Sequence, residues 1–539
     1  MNIFLFGIDG ASPDLINKWI DEGELKNLAK IKSQGLSGKL ESTFPPLTGP
    51  AWSSFQTGVN PGKHGVYNWL DLSSSYKGKL INRNSIKTKT IWNQISSNGG
   101  RIGLVSVPVT YPPEKVNGVI IPGFLTPSSA PDSTYPNNLS SELYERVPDF
   151  KYTLEPLVMS DNPKHWVSGL KKAVRDRGSA ARYLYKNYFN ETSKEVFMTH
   201  FIETDRVQHF LWNDGTDDYD PRLEVFKQVD VEIGKTINLA PDDSVFIVLS
   251  DHGFGSFKYT FNVNNWLKSE NYLTLSQTIK TKTKQGISKL GFTEQNMRSF
   301  GEILYGLAKR LKLLENPTMG LSTSDALNSI FLSLNDINWK GTIAYSRSDI
   351  GNIRLNLSGR EKEGVVREDN YHNVRKEIMR RLSGLKVTGT NKNAVDWVKP
   401  KEEIYSGPFL GNAPDILFNS LEGKNCHGSI VGYGARMFFH SSIFSKKFNP
   451  GGHHRRDGIL MACGKGIGQA ERDASLLDLA PTILNLNSFE IPKQMDGKVI
   501  KEIAPEDPQY YEPEDFYKES VKSDQNEEIE RRLENLGYL

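Results

Sequence analysis

Cysteine is nearly missing from this 539-residue chain, which carries only Cys426 and Cys463. Two cysteines far apart in sequence build no disulfide framework and fit a reducing compartment, so the expected location is cytoplasmic. Long apolar runs are missing too. No stretch approaches the roughly 20 apolar residues of a membrane-spanning helix, and MNIFLFGIDG enters a strand pattern with no basic stretch or cleavage site ahead of it. Neither sign of charge is in excess. The 66 Lys and Arg against 64 Asp and Glu leave +2, which gives no broad electrostatic case for nucleic acid. Internal repeats and extended low-complexity tracts are also absent. What remains is enough chain, at 37% hydrophobic, to bury a large core in two or three domains.

Against these absences stands a set of metal-ligating residue types at the ends of apolar segments. In FIETDRVQHFLW, Asp205 and His209 are four residues apart, the spacing that puts two side chains on one face of a helical turn. In SVFIVLSDHGFGSF, a strand-like run from Val245 to Leu249 ends in Asp251-His252. Ile3 to Ile8 likewise read as a strand ending in Asp9-Gly10. Open α/β sheets bind ligands beyond the carboxyl ends of their strands, so these positions point at one rim. Oxygen from Asp and nitrogen from His suit zinc and its first-row neighbours. Each piece alone has a plainer reading. Asp9-Gly10 is a common turn, Asp205 and His209 make an ordinary surface pair, and His453 and His454 both fit a loop. Asp251-His252 is the firmest, because a buried strand end rarely spends two polar residues without a partner.

Thr48 is a candidate nucleophile. Pro45-Pro46 precede it, Gly49-Pro50 follow it, and Ala51 to Gln56 read as a helix. Proline favours a first helical turn, so the hydroxyl stands near a helix N-terminus, where amides and dipole favour an anion such as phosphate. A simple N-cap is the bland alternative. An unassisted threonine hydroxyl is a poor nucleophile, and a metal ion remedies that.

Six segments occur in an order that resembles the alkaline phosphatase superfamily, and within it the type I phosphodiesterases and nucleotide pyrophosphatases with their phosphohydrolase and phosphomutase relatives. They are FLFGIDGASPDLI, TFPPLTGPAWSSFQTGVNPGKHGVYNW, FIETDRVQHFLW, VLSDHGFG, GGHHRRDGILMACGKGI and LLDLAPTILNLNSFEIPKQMDGK. The resemblance runs to about residue 498, apart from a central insertion. It implies an α/β, alkaline-phosphatase-like core, a mostly parallel sheet flanked by helices with a helical insertion.

The resemblance further implies that Asp9, Asp251 and His252 hold one divalent metal and Asp205, His209 and His454 another, zinc first and manganese second. His454 is taken over His453 because Gly452-His453-His454-Arg455 fits the family's Gly, any residue, His, Arg order. Spacing to Thr57-Gly58 places the nucleophile at Thr48, with Thr43 in STFPP as its rival. The implied activity is a two-metal phosphodiesterase acting on a small phosphoester through a phosphothreonine-type intermediate. Phosphomonoesterase or phosphomutase action on the same site is the alternative, and a noncatalytic binding protein on this fold is the alternative of another class. Nucleotide pyrophosphatases carry Asn three residues after the nucleophile, and here that position is Ala51. A phosphoryl donor is then expected from Gly49, Lys63 or Arg455. No CxPSR segment surrounds either cysteine, and the DNSEVGH string is absent, which sets aside formylglycine sulfatases and cofactor-independent phosphoglycerate mutases. His64 in NPGKHG recurs in the family without a ligand position left for it and reads as a supporting residue. Trp52, Trp69 and Phe254 line either a leaving-group pocket or the core.

Strand and helix patterns alternate to about residue 260, with a helix near Leu15 to Ser33, a strand at Ile102 to Val107, a helix from Trp166 to Tyr188 and a strand at Val196 to Phe201. The chain therefore divides into a first core part at 1–264, a helical insertion or cap at 265–338, a second core part at 339–500 and a charged tail at 501–539. Within the insertion, residues 279–315 hold eight Lys or Arg against three Glu, with apolar residues at helical spacing. A cap with a solvated basic face is the plainer reading, and contact with an anionic lipid surface or polyanionic substrate the other. Strand patterns resume at Thr342 to Arg347 and Gly351 to Leu357. The tail reads as a surface helix or a homo-oligomer contact.

Overall fold

The computed structural model describes residues 1–73, 75–127, 133–152, 162–189, 194–212, 219–289, 332–347, 350–420, 429–433 and 442–517, with backbone alone at 257–259, 287–289, 420, 429–433 and 445–451. Of the basic stretch 279–315, the helix Ile279–Lys289 is described and the remainder lies outside the described residues.

A nine-stranded sheet forms the centre. Its order from edge to edge is Ala470–Glu471, Leu36–Glu41, Asp457–Gly464, Val245–Leu249, Ile3–Ile8, Glu195–Phe201, Arg101–Val107 and Gly118–Pro122, with Ala474–Ser475 also pairing Leu36–Glu41. Ile3–Ile8 is parallel to both of its neighbours, whereas Asp457–Gly464 runs antiparallel to both of its own. Every residue of Ile3–Ile8 is buried, as a central strand covered on both faces requires. Alternate side chains serve two cores: Phe4, Phe6 and Ile8 join Trp19, Phe197 and Phe226, while Ile3 and Leu5 join Trp52, Phe55 and Met198.

The single helix expected over Leu15 to Ser33 is two helices, Pro13–Asp21 and Lys26–Gln34. Gly23 between them has φ +77°, a left-handed conformation that stops the first helix. The helix expected from Ala51 begins earlier, at Thr48, and ends at Thr57 before Gly58 at φ +68°. All ten of its residues are buried, so this helix runs through the interior.

Two further sheets stand beside the centre. One has the order Ala344–Tyr345, Asn352–Leu355, Ile416–Ser420, Val395–Pro400, and packs with Trp266, Tyr272 and Ile378. The strand expected over Thr342 to Arg347 shrinks there to two residues, because Ser346 leaves the ladder to donate its amide to Asn264. The other sheet pairs Gly253–Asn262 with Ser429–Tyr433 and Phe444–Arg455. Its antiparallel register sets His454 opposite Phe254, which brings the far end of the chain to the Asp251-His252 corner. Among the described residues no helix is long and apolar enough to cross a membrane.

Candidate metal centre

Three neighbouring strands deliver the acidic groups to one rim. Asp9 directly follows Ile3–Ile8, Asp251 follows Val245–Leu249 after Ser250, and Asp205 sits in the helix Glu203–Phe210 that starts just beyond Glu195–Phe201. His209 is one turn further along that helix, and His252 is next to Asp251. The residues fall into two triads, Asp9 with Asp251 and His252, and Asp205 with His209 and His454, the donor atoms of each lying within 4.8 Å of one another. All six residues named from the sequence are therefore brought together, in two groups of three.

The distances suit cations. Donors held about 2.0–2.1 Å from one tetrahedral ion stand about 3.3 Å apart. In the second triad Asp205 Oδ1 lies 3.2 Å from both His209 Nε2 and His454 Nε2, and the two Nε2 atoms are 2.9 Å apart. In the first, His252 Nε2 lies 3.5 Å from Asp9 Oδ1 and 3.4 Å from Asp251 Oδ2. Those two carboxylate oxygens are buried without a hydrogen-bond partner among the described residues, a costly state that a cation relieves. Second contacts set the tautomers. His252 Nδ1–H donates to the Gly253 carbonyl at 3.0 Å and His454 Nδ1–H to the Pro46 carbonyl at 2.9 Å, which turns each Nε2 lone pair inward.

Charge makes the same case. Burial first and the charge of Asp205 second push the Asp9 carboxyl up to about 7. Burial, then the charges of Asp9 and Asp205, push Asp251 well above the usual carboxylate range. Burial acts on Asp205 in the same direction, but His209 and His454 overcome it and hold that carboxyl well below the usual range. Burial lowers His252 to about 3 and lowers His454 as well, so both present neutral imidazoles. Three buried carboxylates this close ionise together only with positive charge between them.

Thr48 Oγ1 stands 3.5 Å from His252 Nε2, beside the first triad. Its rival Thr43 is buried, and its Oγ1 has no hydrogen-bond partner among the described residues, hence no bond to any of the six donors. The first amide bonded back into the helix at this point is that of Ala51, to the Leu47 carbonyl. The amides of Thr48 and Gly49 therefore lie ahead of the ladder. Lys63 is engaged elsewhere, its ammonium bonded to Asp496 at 2.5 Å and to the Gln494 carbonyl at 2.8 Å. The Arg455 guanidinium binds the Ser256 and His454 carbonyls. His453 accepts the His454 amide at Nδ1 and so braces that turn, while His454 faces the triad. His64 bonds Ser54 at 2.8 Å and the Val66 amide at 3.1 Å, a supporting place inside the fold.

Of the aromatics, Phe254 lies edge-on to His209 at 4.8 Å and stacks on Trp212. Trp69 is fully buried in a cluster with Ile81 and Phe124. Trp52 is also core, but its Nε1–H donates to Asp9 Oδ2 at 3.4 Å. His200 was not among the residues expected, yet its Nε2 lies 3.0 Å from the same oxygen. The sequence signal for it was a lone histidine in the apolar strand VFMTHF, since a buried polar side chain needs a partner.

The fold is alkaline-phosphatase-like. Phosphonoacetate hydrolase from Sinorhizobium meliloti 1021, in complex with phosphonoformate, matches at 14% identity and TM-score 0.53 over 90% of this chain and 95% of that one. The alkaline phosphatase PafA matches at 13% identity and TM-score 0.51 over 93% and 98%. The sequence model of the type I phosphodiesterase / nucleotide pyrophosphatase family matches residues 3–426, and the chain belongs to that family. It is accordingly a metal-dependent hydrolase of phosphoric esters. His454 lies beyond the matched span and enters through the Phe444–Arg455 strand. No curated protein matches the chain.

Proposed function

We propose that the protein is a two-cation phosphodiesterase for a small phosphoester, with Thr48 as nucleophile, Asp9, Asp251 and His252 holding one cation, and Asp205, His209 and His454 the other. The observation that carries this reading is the pair of triads with the Thr48 hydroxyl 3.5 Å from His252 Nε2. The mixed oxygen and nitrogen donor set favours zinc, with manganese next. Cations bound there would acidify the threonine hydroxyl and offset charge on the phosphoryl and leaving oxygens. A cytoplasmic setting accords with a chain of only two cysteines.

Thr48 Oγ1 forms a bond to phosphorus as the bond from phosphorus to the leaving alkoxide breaks. The hydroxyl proton passes to solvent and the departing alcohol takes one up. Water then cleaves the threonine ester, restoring the hydroxyl and releasing the phosphate monoester. The start of the Thr48–Thr57 helix serves as an anion cradle, with the amides of Thr48 and Gly49 facing phosphoryl oxygens and the dipole adding to them. Approach is from the His209 side. Its side chain is 19% exposed, against 1% or less for Asp205 and His454.

The test is hydrolysis of a chromogenic phosphate diester beside the matching monoester, with zinc- and manganese-supplemented protein and Thr48→Ala. Diester turnover that falls by about 10³-fold or more in the variant, with metal content unchanged, is expected for loss of a nucleophile. Monoester preference would move the assignment to a phosphatase or mutase. Equal turnover by the variant would remove Thr48 from its role, and bound metal without turnover of either ester would favour a binding protein.

A further inference from the structure

Asp9 reaches the first triad with one oxygen only. Its Oδ2 accepts from His200 Nε2–H at 3.0 Å and from Trp52 Nε1–H at 3.4 Å, while its Oδ1 faces His252 Nε2. His200 and Trp52 are both fully buried and meet edge to face at 4.7 Å. Room for them comes from Gly7, the register partner of His200 on the adjacent strand. A Cβ at Gly7 would stand 2.8 Å from Trp52 Cη2 and 2.9 Å from His200 Cδ2.

With the single imidazole proton on Nε2, His200 Nδ1 meets the Ser106 carbonyl oxygen at 3.1 Å as a packing neighbour without a hydrogen bond. Ser106 has φ +64°, a left-handed conformation that costs a non-glycine residue and persists only where its surroundings enforce it. The enforcing group is Arg177, which bonds the Ser106 hydroxyl, pairs with Glu203 at 2.8 Å and donates to the Tyr152 carbonyl at 3.1 Å, all inside the fold. On the other side, Gln56 of the Thr48 helix donates to the Pro108 carbonyl at 3.1 Å and so ties the end of the Arg101–Val107 strand to that helix.

We infer that His200, helped by Trp52, is a positioning residue that turns Asp9 so that Oδ1 alone is offered to the cation, making the first site's affinity depend on these two buried donors. The inference rests on the two-cation reading above. Trp52 is one turn along the helix from Thr48, so the clamp also couples the nucleophile's helix to the ligand it needs.

The experiment is competitive zinc titration against a chromophoric chelator, on the full chain, for wild type, His200→Leu, His200→Gln and Trp52→Phe, with thermal unfolding measured alongside. The expected result is two ions in the wild type. In His200→Leu one ion should be weakened by about 10–100-fold and the other left unchanged. His200→Gln keeps an N–H within reach of Asp9 and restores most of the affinity. Trp52→Phe keeps the packing, loses one donor and weakens the same ion by about 2–10-fold, which decides the matter if His200→Leu does not fold. A packing role alone would lower the unfolding temperature and leave the ratio of the two affinities as in the wild type. That result, in His200→Leu or in Trp52→Phe, overturns this inference alone. Fewer than two ions in the wild type overturns the two-cation reading, and this inference with it.

Discussion

Replacing Asp9 by Asn should stabilise the metal-free protein and, in the same variant, remove a metal ligand. Burial and the charge of Asp205 raise the Asp9 carboxyl from 3.8 in the unfolded chain to about 7 in the fold. Between those two values the folded state holds a proton that the unfolded state has released, so stability falls as pH rises through this window and levels off above it. That difference is on the order of 4 kcal/mol at pH 8 and less than half of that at pH 5. Asn fills the same space without the charge, so it recovers up to those amounts, less what the altered bond to His200 costs. The assay is urea denaturation in chelator, for both proteins at both pH values. A higher midpoint for Asp9→Asn at pH 8, shrinking by more than half at pH 5, is expected, together with a reversed order once zinc is supplied. An equal gap at the two pH values would refute the reasoning that the carboxylate's charge is what the metal-free fold opposes.

Gly7→Ala should push Trp52 and His200 off Asp9. Overpacking two buried rings costs about 1–3 kcal/mol, and the first site's zinc affinity should fall with stability, which calorimetry and chelator competition would show together. Asp415→Asn tests the second sheet. This buried carboxylate pairs with Arg360 and Lys401 and accepts from Tyr371 and the Leu355 amide, so its loss leaves cations unmatched at a cost of about 3–5 kcal/mol. Proteolysis should then open residues 350–420 first while zinc content holds, and equal protection would count against the network.

Much of the site was legible because its residues sit where the chain changes character. Asp9 and Asp251-His252 end strands whose apolar runs are visible, and Asp205 with His209 shows the helical spacing of four. Strand order was not legible. That Val245–Leu249, Ile3–Ile8 and Glu195–Phe201 are neighbours is decided by pairing across some two hundred residues, and only this makes three strand ends into one rim. The two-strand reading of 342–357 erred in length for a related reason, since Ser346 trades a ladder bond for one to a distant asparagine.

By itself the sequence determined the class of chemistry, because residue type and local spacing suffice to name an Asp and His donor set and a hydroxyl at a helix start. Tertiary structure decided how those residues meet. The Phe444–Arg455 strand, paired to Gly253–Asn262, sets His454, the histidine already picked out by the Gly, any residue, His, Arg order, against Asp205, and Asp9 is aimed by a histidine almost two hundred residues away that the sequence does not single out. Such choices depend on which oxygen accepts which donor, and hydrogen bonds between remote strands leave no periodic trace in the chain that makes them.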